Sequence, residues 1–178
     1  LGLVGKLITQ RIVAGIVEIV AIYIAISANF LESVGQPQEA VPVGKGSMIA
    51  VLGSKINELN DFIKAVKTEG VCEIANDNAE GQVIISGGVE SINIFKATLK
   101  QKAIKFIPLK VSAPFHCSLM IPAANIMKDK IASTKFIDPL FKIVNNVTAK
   151  PEIKPDIIKD LLVKQISSTV KWRDSIIN

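Results

Sequence analysis

The chain has 178 residues, 49% of them apolar and 21% charged, and carries a net charge of +5. That apolar share supports a substantial core and excludes a disordered chain, while one histidine and two distant cysteines exclude both a zinc centre and a disulfide framework. The basic charge is spread over Lys55, Lys64, Lys67, Lys96, Lys100 and Lys102 without a dense run or interleaved aromatics. It reads as a solvated surface with a field for acidic or phosphorylated partners, and no nucleic-acid partner is expected.

Ile12 to Leu31 is an apolar run of 20 residues whose only charge is Glu18. Its length and the preceding Lys6 and Arg11 suit a membrane span. A carboxylate a third of the way in is costly there, and a buried segment is the favoured reading. With no initiator Met and no small-residue cleavage pattern, no signal peptide is expected.

From residue 47 the periodicities alternate. Residues 47–53 (SMIAVLG) read as a strand. Residues 54–70 read as a helix with Ser54 as N-cap, Ile56, Leu59, Phe62, Ile63 and Val66 at helical spacing, and a stop at Gly70. Residues 71–76 are strand, 76–81 (NDNAEG) turn and 82–88 strand. Residues 89–102 form an amphipathic helix through Ile92, Phe95 and Leu99, and 103–111 a closing strand. The order β-α-β-β-α-β is that of a split βαβ, or ferredoxin-like, unit.

Beyond it, APFHCSLM (113–120) carries the lone His116, and residues 121–134 read as a helix with Pro122 in its first turn. Residues 136–155 are a strand-and-loop region in which Asn145 and Asn146 end a strand and cap a turn. Residues 156–172 read as a helix opening at Asp156 with Ile157, Leu161 and Val163 to Ile166 apolar. The fold class is therefore α/β. Residues 47–110 form a small subdomain inserted into a larger one made of residues 1–46 and 111–178.

Five blocks, QEAVPVGKGSMIAVLG (38–53), GQVIISG (81–87), APFHCSLM, VNNV (144–147) and LVKQISSTVKW (162–172), resemble the malonyl-CoA:acyl-carrier-protein transacylase family in order and spacing. The resemblance covers roughly residues 35 to 178. It implies an α/β-hydrolase-like core with a ferredoxin-like insert, and a serine that takes malonyl from coenzyme A and passes it to the thiol of acyl carrier protein. The coenzyme A thioester is substrate, and no cofactor is expected. Malonyl-CoA and acyl carrier protein are the expected partners, no membrane partner is expected, and the setting is cytoplasmic.

Within that resemblance, His116 matches the catalytic base of the Pro-x-His-Cys block, and Gln165 matches the residue whose main-chain carbonyl orients it. Imidazole suits the task because it can take the serine proton and return it to the departing thiol near neutral pH. Asn76 and Asn78 match an N-x-N-x-P-G-Q loop at the substrate entrance, with Glu80 where proline is usual. As turn residues they are equally well explained.

The family's nucleophile elbow is missing. No serine in the chain has glycine at both −2 and +2, as a Gly-x-Ser-x-Gly elbow requires. The elbow is expected straight after IVAG (12–15), where Ile16-Val17-Glu18 stands instead, and no arginine precedes QEAVP to bind malonate. His-Ser encoded CAT-AGT reads, one base on, as Ile-Val, so residues 16–37 are expected to be translated out of frame. Sequencing codons 12 to 38 tests that: a neighbouring frame must encode Gly-His-Ser-Leu-Gly. The family's N-terminal block would precede residue 1, and its C-terminal glycine-rich block would follow Asn178. The chain as written is expected to be inactive. The alternatives are a non-catalytic module that binds acyl carrier protein and a membrane-anchored α/β domain.

Overall fold

Every residue of strand β1, Gly46–Leu52, is half-buried or fully buried. Such two-sided burial means an interior strand, and β1 does lie inside a four-stranded sheet of order β2-β3-β1-β4. The computed structural model describes residues 42, 44–66 and 70–177. The apolar run 12–31 and the segment 16–37 lie outside the described residues, as does the unit Leu1–Glu39; the described residues belong to the compact unit Ala40–Asn178.

Helix α1 is Ile56–Ala65, β2 is Cys72–Ala79, β3 is Gln82–Gly88, α2 is Val89–Gln101 and β4 is Lys105–Pro108. All three strand pairings are antiparallel, with Ile49 opposite both Ile85 and Pro108. Pro108, which cannot donate to a ladder, sits on an edge strand as expected. Ile49, Val51, Val83 and Ile85 point to one face and meet Leu59, Ile92, Phe95 and Leu99 from the two helices. Each such buried side chain contributes ~1.5–3 kcal/mol of apolar burial. The alternate residues Met48, Ala50 and Ile84, with Ala75, make the other face, covered by Leu109 and Phe115. The segment that carries His116 therefore lies on the face away from the helices.

After β4 come a 3-10 turn, Ser118–Met120, and α3, Ile121–Ser133, with proline in its first turn. A small antiparallel pair follows, β5 Ile143–Asn145 and β6 Lys150–Glu152, then α4 Pro155–Gln165 and α5 Trp172–Ile177. Asn145 closes the turn after β5, its Oδ1 accepting from the Val147 N–H at 2.8 Å. Among the described residues, no helix is long and apolar enough to cross a membrane.

The structure corrects four local expectations. Ser54 does not cap α1: it is 4% exposed, and the N-cap position is Lys55, without a side-chain hydrogen bond. Strand β2 continues to Ala79, so Asn76 and Asn78 are strand residues, and the turn shrinks to Glu80-Gly81 with Gly81 at φ +74°. Two register shifts absorb the irregular residues. The closing strand is only Lys105–Pro108, shorter than 103–111. The last helix breaks after Gln165, and within it Ile158 rather than Ile157 is buried. Ser167, Ser168 and Thr169 compete poorly for helix, and an extended path gives them better partners. The Thr169 hydroxyl donates to the Ile74 carbonyl at 2.7 Å. Val170 and β2 also exchange hydrogen bonds, Asp77 N–H to Val170 O at 2.9 Å and Val170 N–H to Ala75 O at 2.8 Å.

Candidate active site

The turn Ala113 to Cys117 is held down from below. Pro114 is fully buried against Gly46, where a Cβ would collide with the proline ring. The Cys117 thiol donates to the Pro114 carbonyl at 3.1 Å. Between them His116 adopts φ +59°, left-handed backbone that a non-glycine residue rarely takes. Such a conformation costs of order 1–3 kcal/mol and persists only where the surroundings impose it.

His116 is 9% exposed, and its Nδ1 lies 2.9 Å from the carbonyl oxygen of Gln165. A carbonyl only accepts, so the proton of this contact is on Nδ1. Nε2 is then the basic nitrogen of the neutral ring. The break after α4 makes this contact possible. Had the helix run on to residue 172, the Thr169 N–H would have claimed the Gln165 carbonyl; ending at Gln165 leaves it as an orphan acceptor for His116. Burial pushes the imidazole below its ordinary pKa, and the carbonyl contact opposes that shift only in part. The net result is a ring kept neutral and oriented at neutral pH, suited to taking a proton.

Glu73 on β2 reaches the same turn. Its carboxylate accepts from the Ser118 N–H at 2.9 Å and from the Ser118 hydroxyl at 2.6 Å. The sequence holds no local signal for this contact, because the partners are 45 residues apart and meet only when β2 lies beneath the turn. Cys72 and Cys117 flank the site as buried thiols. Burial, reinforced by Glu73 and Cys117, pushes the Cys72 thiol up to about 12, and burial raises Cys117 as well. Neither can act as a thiolate nucleophile near neutral pH.

Asn76 is half-buried on β2, opposite Ile84 in register, and so shares the sheet face that carries the His116 turn. Asn78 falls within the second register shift. The contacts described for β2 beside them go to the 169–173 segment. Asp77, between the two asparagines, pairs with Arg173 at 2.8 Å, an ion pair not foreseen from sequence. Among the described residues no group of His, Cys, Asp and Glu could hold a metal ion.

A buried imidazole whose tautomer is fixed by a main-chain carbonyl is an arrangement able to take up a proton and return it. No family model matches the chain. It is 37% identical over 140 residues to the malonyl CoA-acyl carrier protein transacylase of Escherichia coli K12, and 36% over 140 residues to that of Bacillus subtilis. Both matches cover 78% of this chain, but 45% and 44% of those proteins. The solved transacylase of Coxiella burnetii superimposes with a TM-score of 0.75 at 33% identity, over 79% of this chain and 45% of that one. A type II polyketide malonyl-transacylase solved with its acyl-carrier protein gives 0.75 at 34%, over 79% and 46%. Over those residues the chain is similar in sequence and in fold to proteins named malonyl CoA-acyl carrier protein transacylase. The chain spans about half the length of the curated relatives it matches.

Proposed function

We propose that this chain carries the base-bearing half of a malonyl-CoA:acyl-carrier-protein transacylase. The observation that carries this reading is the 2.9 Å contact between His116 Nδ1 and the Gln165 carbonyl, in a chain whose relatives bear that name. In the proposed reaction a serine hydroxyl adds to the malonyl thioester carbonyl as Nε2 of His116 takes its proton. The tetrahedral adduct collapses, and the imidazolium returns that proton to the departing coenzyme A thiolate. The malonyl ester is then attacked by the carrier's phosphopantetheine thiol through the same steps in reverse. The Gln165 carbonyl holds the tautomer and stabilises the transient imidazolium, the role a carboxylate plays in other triads.

The four-stranded sheet with α1 and α2 is, in this reading, the family's ferredoxin-like insert, within a larger α/β core to which residues 111–178 contribute. Asn76 and Asn78 border the substrate entrance. The thioester is the substrate, no cofactor is required, and the compartment is the cytoplasm.

Because no serine stands in a Gly-x-Ser-x-Gly elbow, the chain as written is unable to form the malonyl ester. Loss of a hydrolytic serine typically removes ~10⁶ of rate. Incubation with radiolabelled malonyl-CoA should leave the protein unlabelled; a malonylated serine would contradict this. The same missing elbow favours a second reading, a non-catalytic module that binds acyl carrier protein. Carrier binding without acyl turnover would support it.

A further inference from the structure

We infer that Glu73 is a positioning residue for His116, acting through Ser118. Resting on the reading of His116 as the base, the inference adds a residue that this reading does not contain.

His116 sits in left-handed backbone at φ +59°, so something outside the residue must hold it there. Downstream, the chain enters the 3-10 turn Ser118–Met120 and then α3. The first N–H groups of such a run have no partner within it. The Cys117 side chain, at the turn's N-cap, makes no capping hydrogen bond. The cap comes instead from another element: both oxygens of Glu73 are engaged by Ser118, one by its N–H at 2.9 Å and the other by its hydroxyl at 2.6 Å. Charge-assisted bonds of this kind are about twice as strong as neutral ones.

The geometry is that of a two-point clamp. In register Glu73 faces Ser86, so it rises from the sheet face on which Met48, Ala50 and Ile84 lie beneath Phe115. Upstream of His116, Pro114 is wedged against Gly46. Downstream, Ser118 is tied to Glu73. His116 is thus spanned by two attachments to one sheet, four residues apart in sequence, and its ring is aimed at the Gln165 carbonyl. Releasing the downstream attachment lets φ relax and the Nδ1 contact lengthen.

The test uses the 178-residue chain, whose single histidine makes its imidazole nitrogen resonances unambiguous. Those shifts distinguish a proton on Nδ1 from one on Nε2. In the wild type at neutral pH the Nδ1–H form should dominate. Glu73→Ala, which removes both acceptors, should make it the minority form; Ser118→Ala, which keeps the N–H but drops the hydroxyl, should give an intermediate ratio. Ser118→Thr should restore the wild-type ratio. Ser118→Ala removes only one hydroxyl and keeps the test informative should Glu73→Ala fail to fold. A dominant Nδ1–H form unchanged in the folded variants overturns the role of Glu73 and leaves the base reading intact. A wild type already dominated by Nε2–H overturns both.

Discussion

His116 is buried in a site that opposes its protonation, and that has a consequence for stability. Its folded pKa lies below the ordinary value, with burial the main cause, whereas in the unfolded chain it titrates near about 6.5. Between the two values the unfolded state binds a proton that the folded state refuses. The contribution of this residue is therefore complete above about pH 6.5 and is lost as pH falls through the window below it. Each unit of depression is worth up to about 1.4 kcal/mol. Urea unfolding between pH 5 and pH 8 should show stability falling on the acid side, and His116→Gln should flatten that slope. Equal slopes in both proteins would mean the ring is not held neutral. The carboxylate on Glu73 and the flanking thiols of Cys72 and Cys117 are common to both proteins, so the difference reports the imidazole. From sequence alone the lone histidine in a Pro-x-His-Cys setting could be singled out, because its chemistry is local to four residues. Its left-handed backbone and the Glu73 clamp could not, since both depend on contacts across the fold.

Among the elements, the regular ones were the legible ones. The helix through Ile92, Phe95 and Leu99 has all three side chains fully buried, because a 3.6-residue period leaves little choice of face. The stretch 76–79 reads as turn from its sequence, since Asn and Asp favour turns in isolation, but is strand in the fold. Pairing with Val170 overrides that preference on the outer edge of β2. The same pairing ends α4 and liberates the Gln165 carbonyl, so one long-range contact decides both a strand boundary and a site. Asp77 belongs to this junction: its side chain is 7% exposed, one oxygen is paired with Arg173, and the other has no partner. Removing Arg173 strands a buried carboxylate. Arg173→Ala is expected to cost about 3 kcal/mol, read as a lower urea midpoint. The double variant Asp77→Asn, Arg173→Ala should recover much of it. A loss below about 0.5 kcal/mol, the level of an ordinary surface substitution, would show that the pair is solvent-screened.

For the molecule as a whole, length is the governing fact. The match extends over 78% of this chain and 45% of the Escherichia coli relative. Large side chains stand exposed along one stretch, with Ile137 at 78%, Leu140 at 91% and Phe141 at 77%. Order and spacing of five sequence blocks were enough to indicate the family. The nucleophile was not legible, because the residues expected to bear it do not match. In the proposed transfer, His116 is a working base. A chimera in which the matched 140 residues of the Escherichia coli transacylase are replaced with those of this chain puts that role to use. The folded chimera should transfer malonyl from coenzyme A to acyl carrier protein, and His116→Ala within it should lower the rate by ~10³ or more. A folded chimera that transfers malonyl equally well with alanine at position 116 would contradict it.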